Sequence, residues 1–357
     1  MILYTKNQLG SLVLFALCAV MPALTPSNSH AAPFSSWTPL MLAANQGKMD
    51  GVRSEISRGT DPNQSDEDGR TALMYAANKG HTRIVDILLN HGARMNTRDN
   101  QGMNCLLWAV RGGYIDTIER LMQRGAQLGS TDADGNTGLH WATRDNRPDL
   151  AIRLIRLGAA VNASNHTGQT ALMLALELES PTLVRELLSR DADINIKDKN
   201  AHTALWYAVR YDHKEYRDVM IQRANSLNGL DNRGQGLLHL IALYGHTDWV
   251  KPLVTRGANI NLQSTEGNTP ALLAAAKGHV DTLRAMVDNG ADLRQVNKHG
   301  NNALHLAASA GHKSIILELL NFGITSNTKN QQGETPLARA KLEEHPDIVR
   351  ILSSVTN

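Results

Sequence analysis

Apolar residues along this chain alternate between two helical patterns set apart by short polar turns. Leu73, Ala76 and Ala77 stand at i, i+3 and i+4 and so share one face of a short helix. A second apolar stretch, Ile84-Val85-Asp86-Ile87-Leu88-Leu89, predicts another helix running back against the first. It stops at Gly92, a residue type that readily takes the left-handed conformation closing helices. Tips such as Asp132-Ala133-Asp134-Gly135-Asn136 carry the residues of tight turns.

This unit recurs every 33 residues without insertion or deletion, anchored at Thr38, Thr71, Asn104, Thr137, Thr170, Thr203, Gly236, Thr269, Asn302 and Thr335. The closing glycine recurs too, at Gly59, Gly92, Gly125, Gly158, Gly257, Gly290 and Gly323. Asp191 and Ala224 break that series, so the turns of the fifth and sixth units are expected to be less relaxed.

Around the anchors stand Thr38-Pro39-Leu40-Met41-Leu42-Ala43-Ala44, Thr269-Pro270-Ala271-Leu272-Leu273-Ala274-Ala275 and Ala303-Leu304-His305-Leu306-Ala307-Ala308. The pattern resembles the ankyrin repeat, whose signature reads T-P-L-H-x-A at the same period. The resemblance implies an all-α solenoid over 36–357, about ten helix-turn-helix repeats with projecting β-hairpin fingers. The units fall near 36–68, 69–101, 102–134, 135–167, 168–200, 201–233, 234–266, 267–299, 300–332 and 333–357. No unit can bury its apolar face alone, so neighbours must stack into one core. In the last unit Arg339-Ala340-Lys341 replaces the usual apolar run, as expected of a capping repeat with one face in water. Pro346 suits the first turn of a final helix, and the array reads as complete.

The first residues differ. Lys6 precedes the apolar run Leu9–Met21, and Ser29-His30-Ala31 supplies small residues at a cleavage position. Together these predict a secretory signal peptide over 1–31, followed by a short lead, 32–35. The run is shorter than the ~20 residues a spanning helix needs, so no permanent membrane anchor is expected. Export combined with this repeat resembles periplasmic ankyrin-repeat proteins of Gram-negative bacteria; secretion from the cell is the alternative. Cleavage would leave Cys105 as the only cysteine, a small, half-buried helix starter in this reading.

Chemistry is sparse. Lys and Arg number 36 against 34 Asp and Glu, which gives no global case for nucleic acid. His140, His239 and His305 fill the signature histidine, while His81, His213, His246, His279 and His312 recur one period apart. The resemblance implies structural hydrogen bonds for them, and no metal or cofactor is expected. Glu177, Glu179 and Glu186 read as a solvated face, and no phosphate loop or nucleophile elbow is present. The chain is therefore not expected to be an enzyme.

A partner site is more legible. The resemblance places the second leucine of the signature partly in the concave groove, and this slot carries Tyr75, Trp108, Trp141 and Tyr207 in a chain with only 4% aromatic residues. Arg111, Arg144 and Arg210 stand three residues after a slot ring, and Tyr211 and Tyr244 add rings one position further on. Aromatic residues and arginine dominate binding hot spots. Finger residues Arg70, Met103, Asn136 and Gln169 are expected to assist. The expected partner is another protein with an acidic or carboxylate-bearing surface, and the free chain is expected to be a monomer. Three roles fit: an immunity or inhibitor protein masking a toxin such as an antibacterial lipase, a stabilising scaffold for a periplasmic enzyme in oxidant defence, or a secreted effector binding host proteins.

Overall fold

Residues 37–355 are described by a computed structural model. The signal peptide and the lead lie outside the described residues. Twenty short α-helices and two 3₁₀ turns run through the described residues as antiparallel pairs. Ala72–Asn78 followed by Thr82–Asn90 is representative. The inner helices stack on one another in chain order, and their buried residues continue into one core from Leu40 to Leu352. That continuity is what a unit too small to bury its own apolar face requires.

Seven of the ten inner helices start where the anchor's short polar side chain accepts a free backbone N–H. Asn104 accepts from the Leu107 N–H at 3.0 Å, and Thr269 from that of Leu272 at 3.3 Å. Each inner helix ends at a residue of positive φ, and ten such positions recur one period apart. Six are Gly47, Gly80, Gly113, Gly245, Gly278 and Gly311; the others are Asn146, Glu179, Asp212 and Glu344, with φ between 49° and 60°. The non-glycine members accept a conformation that crowds Cβ against the following carbonyl.

The outer turns show the irregularity expected of the fifth and sixth units. Asp191 is forced to φ 53°, and Ala224 abandons the left-handed path for extended backbone at φ −69°, ψ 130°. The outer helices of the sixth and seventh units also begin differently, with 3₁₀ turns at Lys214–Tyr216 and Thr247–Trp249.

The fingers are tight turns rather than β-hairpins. Among the described residues there is no strand, only isolated bridges at Ser65–Thr71, Thr131–Thr137 and Ser164–Thr170. A carboxylate or amide at the finger base does the work a ladder would do. Asp99 Oδ1 accepts from the N–H groups of Gln101 (2.9 Å) and Met103 (2.8 Å), and Asn297 repeats the pattern two hundred residues on with His299 and Asn301. Successive fingers are joined by backbone bonds, such as Ala133 N–H to the Gln101 carbonyl at 2.9 Å. The approach is close: a Cβ on Gly102 would lie 2.5 Å from the Ala133 nitrogen.

The histidines bind backbone. His140, His239 and His305 each place Nε2 about one finger ahead, on the carbonyls of Gln169, Asn268 and Glu334 at 2.9–3.0 Å. His81, His213, His279 and His312 reach back to carbonyls of the preceding unit. His345, not singled out from the sequence, does the same to Ser309. His246 is the exception; its Nε2 is buried without a partner.

Cys105 is buried rather than half-buried. Its thiol points at the Met95 carbonyl (3.2 Å), and desolvation pushes its pKa up to about 12. A thiol so placed is not nucleophilic near neutrality. In the last unit Ala340 is buried, while Arg339 pairs with Glu334 and Glu343 at 3.5 and 3.1 Å and Leu342 faces solvent.

Candidate protein-binding face

The inner helices present one residue per unit at the ring slot, and the structure gives those rings a dual character. Tyr75 donates its phenol to Asp66 Oδ2 at 2.5 Å, Trp108 its indole N–H to Asp99 Oδ2 at 2.9 Å, Trp141 to Asp132 at 3.0 Å and Tyr207 to Asp198 at 2.9 Å. Every acceptor lies nine residues before its ring and is the same carboxylate that folds the finger. The rings therefore tie each inner helix to its own finger. Burial, reinforced by the neighbouring Asp66, raises the Tyr75 pKa well above that of a free phenol, and burial does the same for Tyr207, so both remain donors.

Tyr75, Trp108 and Tyr207 are consequently buried, Trp108 to 7% exposure, and lend the face little surface of their own. Trp141 is half-buried and keeps part of its ring open. Two finger residues are corrected more sharply. Met103 has no exposure, because the finger turn folds it inward beneath Asp99. Asn136 is also buried; its amide donates to Asp132 and its carbonyl oxygen accepts from Asn165 at 3.0 Å, linking adjacent fingers. Gln169 sits between Tyr207, donating to the phenol oxygen at 3.2 Å, and Glu177 at 3.5 Å.

What remains open is basic and partly apolar. The Arg111 guanidinium lies over both Trp108 and Trp141, 5.1 and 5.5 Å from the ring centroids, and Arg70 covers the Trp108 ring at 5.0 Å. Arg210 lies 3.9 Å from the Tyr244 ring of the next unit and 6.0 Å from Tyr211. Thus the arginines reach across to the following repeat as well as staying on their own helix, since a four-bond side chain spans the gap between stacked helices. Among the described residues Arg144 stacks on no ring, and it is exposed.

Some arginines on each face are paired within the chain, Arg70 with Asp68 at 3.1 Å on the inner side. On the outer helices, Arg120 pairs with Asp86 at 2.8 Å, Arg153 with Glu119 and Arg284 with Glu318 at 2.7 Å, each to an adjacent unit. Arg111, Arg144 and Arg210 form no ion pair among the described residues.

Leu178 joins this face without a distinctive mark in the sequence. Leu178 is 40% exposed and occupies the repeat position of Tyr211 and Tyr244, the latter 38% exposed. One period separates 178, 211 and 244, so the signal was present, but a leucine does not stand out from a composition rich in leucine.

The repeated helix start, left-handed turn and polar finger base recur at a fixed 33-residue interval through the helical stack. The family model for ankyrin repeats, in three copies, matches residues 40–132, 106–198, 139–229, 179–264, 238–330 and 272–356. The chain belongs to the ankyrin-repeat family. No curated protein matches it. Ankyrin repeats mediate protein–protein interaction and are typically non-enzymatic scaffolds, which makes the inner-helix face the natural place to look for a partner. No group of three or more His, Cys, Asp and Glu suited to a metal ion occurs among the described residues, and none of the helices there is long and apolar enough to cross a membrane.

Proposed function

We propose that this ankyrin-repeat protein is a non-enzymatic scaffold that captures an acidic partner protein on the inner-helix face of repeats three to seven. The observation carrying this is the clustering on the inner helices of the third, fourth and sixth units of three arginines, Arg111, Arg144 and Arg210, that form no ion pair among the described residues, two of them stacked on rings. Stacking on Trp141 and Tyr244 holds two of these guanidinium groups in place, so a partner carboxylate meets donors that lose little freedom on binding. Leu178, Tyr211 and Tyr244 supply an apolar margin that would exclude water around the ion pairs.

The charged, apolar and small-residue order of the N-terminal segment supports export to the periplasm of a Gram-negative bacterium. In that compartment masking of a toxin, such as an antibacterial lipase, is the role we favour, because a rigid stack with preset cations suits tight capture without chemistry. The mature chain, cut after Ala31, is used as bait on periplasmic extract. One saturable partner is expected, released by salt and lost in Arg144→Glu/Arg210→Glu. A partner retained at full strength by that double variant overturns the groove assignment, and recovery of the mature chain only from culture medium overturns the periplasmic one.

A further inference from the structure

A cavity of about 280 Å³ opens where the repeat pattern fails, between the finger of Asp198 and the loop after Ala224. Two departures create it. Ala224 leaves the left-handed path that the other outer turns follow, so the next loop runs differently. Trp206 also occupies the position of the signature histidine, where His140, His239 and His305 bridge to the following finger. An indole lacks the second ring nitrogen with which those histidines accept from their own helix start, so it cannot link helix start and finger as they do. It stacks instead on His202, with centroids 3.6 Å apart and planes within 13°.

The walls carry unspent donors. Trp108, Trp141 and Trp249 all give their indole N–H to a carboxylate, at 2.9–3.0 Å. The Trp206 N–H finds no acceptor among the described residues, although this ring lines the cavity. Lys197, on the same wall, has no ion pair. The cavity's one carboxylate, Asp231, is already engaged: Oδ1 accepts from two backbone N–H groups at 2.8 Å and Oδ2 faces His202 at 3.6 Å. Trp206 and Leu237 furnish an apolar floor, and the side-chain amides of Asn225 and Gln235 border it. Concave, mainly apolar sites with a few placed polar groups are the form small-ligand pockets take.

We infer that this cavity binds a small organic carboxylate with an apolar body, the carboxylate meeting Lys197 and the Trp206 N–H and the body lying on the indole and Leu237. None of these residues belongs to the protein-binding face, so the two assignments stand or fall separately.

The test uses protein carrying ¹⁵N-labelled tryptophan, with Trp206 identified by the indole signal lost in Trp206→Phe. Benzoate should shift that signal saturably. Benzamide, which lacks the charge, and acetate, which lacks the body, should each bind at least about tenfold more weakly, and Lys197→Gln should weaken benzoate by about tenfold while the remaining indole signals keep their positions. An unmoved Trp206 signal overturns the inference. So does equal binding of benzoate and benzamide, or a Lys197→Gln variant with unchanged affinity.

Discussion

Tyr75 and Asp66 are joined across nine residues by a 2.5 Å hydrogen bond, and Asp66 Oδ1 at the same time holds the N–H groups of Asp68 and Arg70. One carboxylate thus fixes both a finger and the inner helix behind it. The relation recurs wherever the slot holds a ring donor. Where the slot holds leucine the finger base varies: Asn165 and Asn297 stand nine residues before Leu174 and Leu306, Asp231 before Leu240 and Ser264 before Leu273.

Tyr75→Phe removes only the hydroxyl and leaves a buried charge short of its donor. A loss of roughly 1–3 kcal/mol is expected from denaturant unfolding. Adding Asp66→Asn, which removes the stranded charge and reproduces the apolar slot and amide of the fifth and ninth repeats, should recover part of that loss, so the double variant costs less than the two singles summed. Strict additivity would show that the bond does not couple helix to finger.

Ala201 stands at φ 65° where most finger tips carry glycine. Relief of the left-handed strain, about 1–2 kcal/mol, should outweigh the extra freedom glycine gives the unfolded chain, and Ala201→Gly should stabilise by about 0.5–1 kcal/mol. Gly102→Ala should do the reverse, because its new methyl would meet the Ala133 backbone nitrogen. Thermal melts of the pair with opposite signs would confirm the tip geometry; two neutral variants would contradict it.

Burial lowers the pKa values of His140, His239 and His305 below the ordinary 6.5. The unfolded chain therefore binds protons that the folded one resists, so their contribution is complete above pH 6.5 and is lost as pH falls below it toward the folded values. Urea midpoints should drop on acidification through that window. Replacing the three with glutamine should flatten the pH dependence; an unchanged slope would assign it elsewhere.

Arg144→Glu should weaken partner capture by about tenfold or more while leaving the melting temperature within error, since that side chain has no ion pair or ring contact among the described residues; Arg210→Glu should weaken capture as much and also cost about 0.5–1 kcal/mol of stability through the lost Tyr244 stack. Arg120→Ala on the outer helices should leave capture intact and cost less than about 1 kcal/mol of stability.

Cys105 should resist alkylation by iodoacetamide in the native protein at neutral pH and react once in denaturant. Labelling at equal rates in both states would place the thiol at the surface.

The sequence by itself determined the architecture. A 33-residue period leaves one way to pair the helices, because each apolar face can be covered only by its neighbour's copy. It also determined the strained turns of the fifth repeat, since glycine's absence at Asp191 is visible without coordinates. Tertiary structure decided which rings are available. Trp108 and Trp141 are the same residue type at the same slot and share Arg111, yet only Trp108 also lies beneath Arg70, and Trp141 keeps part of its surface. That difference depends on side chains from the adjoining unit, about thirty residues away, which periodicity aligns but does not orient. The fingers followed the same logic: their turns were readable in Gly, Asn and Asp, but closure by side-chain carboxylates instead of a β-ladder needed the distances. The cavity at Trp206 was equally hidden, because a void forms from what neighbouring loops fail to fill.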